Sequence, residues 1–178
     1  VHVSEVPAFL SDGGRLKDES PTAAQLDSLG YRPDVGIAAG RYAIGQMLPG
    51  WGMADDQRID EGLSLLYSSQ PITDDSLEII GTPVARLWLS STAEVAFVSV
   101  KLCDVAPDGT SFLVTKGVLN LTHRDSSTNP EPLVAGDVYE VQVPLLATAH
   151  RFRRGHRLRL MIAAADFLNE WPTPTPHM

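Results

Sequence analysis

One stretch decides the fold class: residues 95–121, which read VAFVSVKLCDVAPDGTSFLVTKGVLNL. Apolar side chains recur at every second position of its first arm and share one face: Ala96, Val98, Val100 and Leu102. This period of two is typical of a β-strand in a layered sheet. Pro107–Gly109 supplies the residue types that reverse a chain, and β-forming residues resume at Phe112. The stretch therefore predicts a β-hairpin.

Short strands of the same kind are predicted on both sides of this hairpin. They lie at Leu63–Tyr67, at Leu77–Ser91 with a bend at Gly81–Pro83, at Tyr139–Leu145, at Ala147–Phe152 and at Leu158–Ile162. A polar loop is predicted between His123 and Gly136. Because the strands do not alternate with helices, the pattern favours two antiparallel sheets packed face to face. We predict an all-β fold, a jelly-roll β-sandwich.

The N-terminal third has a different character. A first strand is predicted at Val6–Leu10, followed by a turn at Ser11–Gly14. One or two helical turns are predicted at Ala23–Leu29, capped by Thr22. Prolines and glycines interrupt any sustained period between residues 17 and 60. Because a compact domain rarely carries about 40 residues as free loop, we expect this segment to lie over another surface.

We expect one domain over residues 1–178, which is a natural size for a single domain. It divides into an irregular wrapping segment with the first strand at 1–60, a β-sandwich at 61–165 and a proline-rich tail at 166–178. The alternating prolines of the tail exclude a regular helix or an interior strand there.

Charge and composition exclude several functions. The formal net charge is −8, so we expect neither nucleic acid nor membrane as a partner, since both attract dense positive charge. The chain has no apolar run of 18 residues, and its first residues lack the pattern of a signal peptide. We therefore predict a cytoplasmic protein, with an upstream signal left open. Cys103 is the one cysteine, which excludes an internal disulfide and predicts a small buried side chain.

The search for catalytic and metal-binding residues finds no candidate. The nearest match to the G-x-S-x-G nucleophile pattern is Gly109–Leu113, which ends in leucine and lies between strands, so Ser111 is not predicted as a nucleophile. The acidic pairs Asp55-Asp56 and Asp74-Asp75 lack the oxygen spacing of a calcium loop and are predicted as solvated turns. The scattered histidines lack metal-site spacing and are predicted as surface residues or as loop residues with satisfied hydrogen bonds: His2, His123, His150, His156 and His177. We assign no catalytic, cofactor-binding or metal-binding residue.

Two groups of side chains leave an alternative open. Exposed aromatic residues on a β-sandwich would form a carbohydrate-binding platform, and the candidates are Trp51, Trp88, Trp171, Tyr31 and Tyr42. Residue chemistry favours packing in the core or against another domain for such large apolar side chains. The basic residues between Arg151 and Arg159 would pair either with acidic loops or with a partner, and the sequence does not choose between these.

Seven short motifs, in order along the chain, resemble one family. They are FLSDGGRL at 9–16, DQR at 56–58, LLYSSQPI at 65–72, EIIGTP at 78–83, DVAPDG at 104–109, KGVL at 116–119 and FRRGHRLRL at 152–160. Together they resemble the C-terminal domain of X-Pro dipeptidyl-peptidase-like hydrolases, the cocaine esterase/NonD group. The resemblance covers almost the whole chain.

This resemblance implies a galactose-binding-domain-like jelly roll that packs on an α/β-hydrolase catalytic domain, in the same or another chain, and helps to shape the substrate entrance. The domain would be non-catalytic, because the Ser-Asp-His triad of the family lies in the preceding domain. The parent protein would be a serine hydrolase of acyl esters, amides or X-Pro peptides.

One motif departs from the family pattern. The residues ADFL at 165–168 are similar to the SDFP region of the family, but Leu168 replaces the proline. The closing strands that follow this region in the family are expected to be absent here or supplied by another chain. The alternative is an independent carbohydrate- or ligand-binding jelly roll, and homo-oligomer formation is left open.

Overall fold

The computed structural model describes residues 4–23, 26–38, 56–167 and 169–173. Its elements are β1 (Phe9–Ser11), β2 (Arg15–Lys17), α1 (Arg58–Glu61), β3 (Leu65–Ser68), β4 (Ser76–Gly81), β5 (Val84–Leu89), β6 (Phe97–Val105), β7 (Ser111–Asn120), a 3₁₀-helix (Leu121–His123), β8 (Tyr139–Pro144), β9 (Thr148–Arg153) and β10 (Arg157–Ala163). Within the described ranges, no helix is long and apolar enough to cross a membrane.

The predicted hairpin is confirmed as β6 and β7, which pair in antiparallel fashion. In the turn between them, Gly109 has a φ of +87°, which glycine adopts without the strain that a Cβ would add. The Asp108 carboxylate accepts a hydrogen bond from the Thr110 amide at 3.0 Å. The residue types that predicted the reversal therefore make it in the expected way.

Six strands form one sheet in the order β1-β2-β3-β10-β6-β7, here called the main sheet. The other four strands pair as β4 with β9 and β5 with β8. Because β4 runs on into β5 and β8 into β9, these pairs form one two-stranded ribbon, here called the ribbon. It bends at Gly81–Pro83, as predicted, where Gly81 has a φ of +125° and the Leu145 amide donates to the Pro83 carbonyl at 2.8 Å.

The apolar core lies between the ribbon and one face of the main sheet, here called the inner face. Fully buried side chains from both layers meet there, among them Val100 of β6, Val143 of β8 and Phe152 of β9. Burying large apolar side chains from two β-layers is what holds a sandwich together. The predicted all-β sandwich is confirmed, and its jelly-roll connectivity stays a prediction.

Two predictions for the N-terminal third differ from the structure. The first strand begins at Phe9 rather than Val6, whose side chain is exposed. The predicted helix at 23–29 is wrong in its described part, because residues 26–30 are irregular and Leu26 is 94% exposed. A helix of one or two turns makes too few hydrogen bonds to offset its nucleation unless an apolar face packs, and Leu26 packs against little.

Candidate functional site

The face of the main sheet turned away from the ribbon, here called the outer face, is also covered. Strand β6 is buried along both faces from Val98 to Val105. Three segments cover the outer face and are here called the outer layer: residues 31–38, residues 56–64, and the tail segment (165–167 with 169–173). A second apolar cluster joins this layer to β10 through Val35, Met161, Ala163 and Ala165.

Close backbone contact fixes the crossing of two outer-layer segments. The Phe167 amide donates to the Val35 carbonyl at 2.7 Å. Gly36 has a φ of +99°, and a Cβ built on it would lie 2.7 Å from the Phe167 nitrogen. Only glycine meets both conditions, so the segment 31–38 is seated on the tail segment through this residue.

A buried ion cluster anchors the tail segment to the main sheet. Asp166 is fully buried, and its two carboxylate oxygens each meet a lysine ammonium group. Lys101 Nζ of β6 lies 2.9 Å from Oδ1, and Lys116 Nζ of β7 lies 2.7 Å from Oδ2. Lys101 is also buried and reaches Gln57 Oε1 at 3.4 Å. Such a cluster requires each member, because a buried charge without its partner costs several kcal/mol.

A second buried network anchors α1 and includes the serine nearest to a nucleophile pattern. Ser111 Oγ donates to Glu61 Oε1 at 2.5 Å, and Arg159 Nη1 donates to Glu61 Oε2 at 2.6 Å. Arg159 Nε also donates to Ser68 Oγ at 2.8 Å. Ser111 is fully buried, so its hydroxyl group serves a structural hydrogen bond here.

No described group forms an activated nucleophile. Within the part of the chain that the structure covers, no serine hydroxyl group hydrogen-bonds an imidazole, which is the pairing that activates a serine. Cys103 is buried, as predicted, and burial followed by the nearby Glu61 charge raises the pKa of its thiol to about 12. A thiol of that pKa is not a nucleophile at neutral pH.

Two of the histidines share one carboxylate. His156 is a hydrogen-bonded histidine in a turn, as predicted, whereas the prediction is wrong for His150, which lies half-buried on β9. His150 Nε2 lies 2.8 Å from Asp104 Oδ2, and His156 Nδ1 lies 2.8 Å from Asp104 Oδ1. These two contacts, here called the histidine clamp, join β9 of the ribbon and the turn before β10 to β6. Asp104 continues the alternating series of β6 residues that point to the inner face. A carboxylate at such a position is the sequence signal that could have predicted the histidine clamp. The described residues contain no group of three ligands suited to a metal ion.

The remaining histidines and the acidic pairs fall at the surface or outside the described ranges. His123 Nδ1 lies 3.0 Å from the Ser126 carbonyl oxygen in the predicted loop. Asp74 and Asp75 lie in an exposed bend, as predicted. Asp56 accepts from Arg58 Nε at 2.6 Å, and this bond is the main cause that lowers the pKa of its carboxyl group. His2, His177 and Asp55 lie outside the described residues.

Three basic residues of β9 and β10 are paired within the chain. Arg151 meets Glu78 at 2.5 Å, Arg159 meets Glu61, and Arg157 donates to the Ser69 carbonyl at 2.9 Å. Acidic and carbonyl groups of this chain therefore bind some of the arginines for which the sequence allowed either an acidic loop or a partner protein.

The aromatic candidates that the structure describes do not gather on one platform. Trp88 is 62% exposed on the ribbon and Trp171 is 87% exposed in the tail segment, so neither lies in the core of this domain. Packing against another domain stays a prediction for both. Tyr31 is half-buried beside the Val35 cluster, whereas Trp51 and Tyr42 lie outside the described residues.

Two shallow cavities in the described part have no tryptophan in their walls. One, of about 320 Å³, is lined by Gly14, Asp27, Ser64, Leu65, Leu66 and Tyr67. The other, of about 200 Å³, is lined by Glu78, Ile79, Ile80, Ala149, His150 and Arg151. The first cavity contains the largely buried ring of Tyr67, and neither cavity offers a tryptophan face for stacking.

The outer layer presents apolar side chains to solvent. Ile37 is 54% exposed, Ile59 of α1 is 71% exposed, and Trp171 is the most exposed of the three. Buried ion pairs thus hold the outer layer on the main sheet, while apolar side chains on its other side face solvent. This arrangement is suited to contact with another protein surface.

Comparison with known proteins matches the chain to a non-catalytic domain found in hydrolases. The family described as "X-Pro dipeptidyl-peptidase C-terminal non-catalytic domain" matches residues 2–178. The cocaine esterase of Rhodococcus sp. (strain MB1 Bresler) is 34% identical over 116 residues, which are 65% of this chain and 20% of the esterase. A putative Xaa-Pro dipeptidyl-peptidase of Streptomyces avermitilis is 33% identical over 92 residues, 50% of this chain and 13% of that protein.

Solved structures give the same picture at the level of the fold. An α-amino acid ester hydrolase superimposes with a TM-score of 0.79 at 26% identity, over 91% of this chain and 29% of that one. An aminopeptidase from a marine sediment Thaumarchaeota archaeon superimposes with a TM-score of 0.79 at 27% identity, over 90% of this chain and 29% of that one. This chain therefore spans less than a third of the length of each of these proteins.

Proposed function

This chain belongs to the family of X-Pro dipeptidyl-peptidase C-terminal non-catalytic domains, and from that premise we propose that it packs on an α/β-hydrolase catalytic domain and shapes the access of substrate to it. The catalytic domain belongs to the same or another chain. The parent protein is a serine hydrolase of acyl esters, amides or X-Pro peptides.

The observation that carries the proposal is the share of each relative that this chain covers. It matches 20% of a cocaine esterase and 29% of an α-amino acid ester hydrolase, while the family match spans residues 2–178. In relatives of this kind the domain forms the C-terminal part of a larger hydrolase chain. A domain attached to an enzyme, with no activated nucleophile among its described residues, acts through the surface that it offers.

We place the docking surface on the outer layer. Its exposed Ile37, Ile59 and Trp171 side chains supply the apolar anchors that protein interfaces need, and Trp is the residue type most often found at the energetic centre of an interface. The buried Lys101–Asp166–Lys116 cluster fixes the start of the tail segment at Asp166, which reduces the entropy lost on docking.

Two matched tryptophan variants test this assignment in a full hydrolase chain that contains the domain. Trp171→Ala removes an exposed side chain of the outer layer, and Trp88→Ala removes one of the ribbon. We expect Trp171→Ala to weaken domain contact by about 2 kcal/mol or more, seen as a melting temperature lower by roughly 4 °C and an altered KM. Trp88→Ala should change neither.

The same samples report on the catalytic serine. A fluorophosphonate should add to one serine outside residues 1–178, located by peptide mass mapping. An adduct on a serine within these residues would contradict the accessory role. Equal effects of the two tryptophan variants, or a larger effect of Trp88→Ala, would move the docking surface away from the outer layer.

One observation favours the alternative, a carbohydrate-binding module. Trp88 lies exposed on the ribbon with the Arg86 guanidinium 5.1 Å from its ring centre, and Arg86 Nε meets Glu140 at 2.5 Å. An aromatic ring beside polar groups is typical of sugar-binding surfaces. A glycan array on which wild type binds and Trp88→Ala does not would support this reading, and an array without hits would remove it.

A further inference from the structure

The tail segment buries the carboxyl group of Glu170. Both of its oxygens are buried, and neither has a hydrogen-bond partner among the residues that the structure describes. Native proteins pair nearly all buried polar side-chain atoms, because an unpaired one loses its hydration without compensation. A carboxylate, which is charged, loses more than a neutral group. Glu170 is therefore the group in the outer layer whose burial most needs an explanation.

The positive charges nearby are already engaged by another carboxylate. Lys101 and Lys116 each lie within 2.9 Å of Asp166, and neither forms an ion pair with Glu170 among the described residues. Burial, followed by the charge of Asp166, raises the pKa of Glu170 from its ordinary 4.5 to about 7, while Lys116 and Lys101 oppose this rise. The carboxyl group is thus protonated across the acidic range in which a free glutamate is ionised.

Several other charged groups of the outer layer are occupied elsewhere. Arg32 and Asp34 of the segment 31–38 pair with each other at 2.8 Å. Glu61 of α1 is bonded to Ser111 and to Arg159. The charges that act on Glu170 among the described residues are therefore those of Asp166 on its own segment, Lys101 on β6 and Lys116 on β7.

We propose that Glu170 makes the end of the tail segment a pH-sensitive latch, which is closed against the main sheet while the carboxyl group is protonated and opens when it ionises. The ionised group gains hydration by leaving its buried place, and it carries Trp171 with it. Asp166 stays bound by two lysines, and the Phe167 amide stays bound to the Val35 carbonyl. Among the described residues, opening is therefore confined to 169–173, and it needs no catalytic domain.

The direction of the pH effect follows from the two states of the group. An acid whose pKa is higher in the closed state than in the open state makes the closed state less stable as pH rises. The loss begins near the ordinary pKa of glutamate and ends near pH 7. Over that interval the ratio of open to closed segment should rise by up to about tenfold per pH unit and then stay constant.

Hydrogen exchange on this chain tests the latch directly. The amides of Asn169 and Glu170 both donate to the Asp166 carbonyl at 3.0 Å in the closed state, so their protection factors report opening. We expect these factors to fall by up to about tenfold per pH unit between pH 5 and pH 7 and to level off above. Amides of β10 should keep their protection over the same range, because the main sheet does not open.

Three variants separate the latch from other causes. Glu170→Gln cannot ionise and should give protection factors independent of pH, and Glu170→Met, also neutral and similar in length, serves if the amide is poorly accommodated. Glu94→Gln removes an exposed carboxylate and should behave as wild type. A flat wild-type profile, or the same fall in both neutral Glu170 variants, would overturn the proposal.

Discussion

The two faces of the main sheet are both buried, yet they are built from different side chains. The inner face carries Val98, Val100 and Leu102 from β6 and meets the apolar ribbon. The outer face carries Ser99, Lys101 and Cys103 from the same strand and meets the outer layer. Alternate residues of one strand thus face an apolar core and a charged one.

This difference in side chains shows what determines the packing on each face of the main sheet. Apolar burial on the inner face is proportional to area and tolerates many side chains of suitable volume. The outer face instead depends on pairs, since each buried charge needs a particular partner at a particular distance. The inner face therefore stabilises the sandwich, whereas the outer face determines where residues 31–38, 56–64 and the tail segment lie.

The largest expected effect comes from removing the shared carboxylate of the outer face. Asp166→Ala leaves two buried lysines without a counter-charge, and we expect it to lower the free energy of unfolding by about 3–5 kcal/mol. Urea denaturation measures this. A combined variant, Lys101→Met with Lys116→Met, Asp166→Leu and Glu170→Gln, should recover wild-type stability or exceed it, because well-packed apolar groups replace a buried ion cluster without loss.

That combined variant tests the proposed contrast between the inner and outer faces. If it folds as stably as wild type but the outer layer loses its hydrogen-exchange protection, the ion cluster determines position rather than stability. If it remains as unstable as Asp166→Ala, the outer face depends on its charges for stability as well, and the contrast between the two faces is wrong.

An intermediate effect is expected when a polar atom enters the inner face. Val100→Thr keeps the shape of a fully buried side chain but buries a hydroxyl group among apolar neighbours, and we expect a loss of about 1–3 kcal/mol. The matched control is Val84→Thr, at an exposed position of the ribbon, which should change stability little. A loss no greater at Val100 than at Val84 would show that the inner face accepts polar atoms.

The smallest effect is expected at Ser99, which is adjacent to Val100 in the sequence and lies on the outer face. Ser99 Oγ is buried and has no hydrogen-bond partner, so Ser99→Ala should leave stability unchanged or raise it by up to about 1 kcal/mol. Ser111→Ala, by contrast, removes a donor to the buried Glu61 carboxylate and should cost about 1–3 kcal/mol. Thermal unfolding of the two variants at one pH compares them, and a marked loss in Ser99→Ala would contradict the unpaired state of its hydroxyl group.

Period-two patterning and turn chemistry predicted most of the sandwich. The hairpin β6–β7, the bend at Gly81–Pro83 and the strands β8 to β10 all lie where local sequence places them, because each depends on residues close along the chain. The helix at 23–29 failed because the nearby surface offers it no apolar partner. The exposed Trp88 and Trp171 were placed in the core or against another domain, since residue type alone does not state which surface a side chain meets.

The buried polar groups were beyond local reasoning because their partners are distant in sequence. Lys116 and Asp166 are 50 residues apart, and His150 and Asp104 are 46 residues apart. Which residues meet across such separations depends on strand register, and a slip of one residue would turn every side chain of a strand to the other face. The only sequence feature that indicated the histidine clamp was Asp104 itself, an acidic residue at a position where the strand pattern expects an apolar one.

The sequence by itself determined the all-β class, the hairpin and the membership of a hydrolase-associated family, because periodicity, turn residues and ordered motifs are properties of short segments. Only the tertiary structure decided that the outer face is covered and how its charges pair, including the Glu170 carboxyl group, which has no hydrogen-bond partner among the described residues. The physical reason is that apolar burial requires only a suitable face, whereas a buried charge requires one particular atom, and that atom is brought near by the fold.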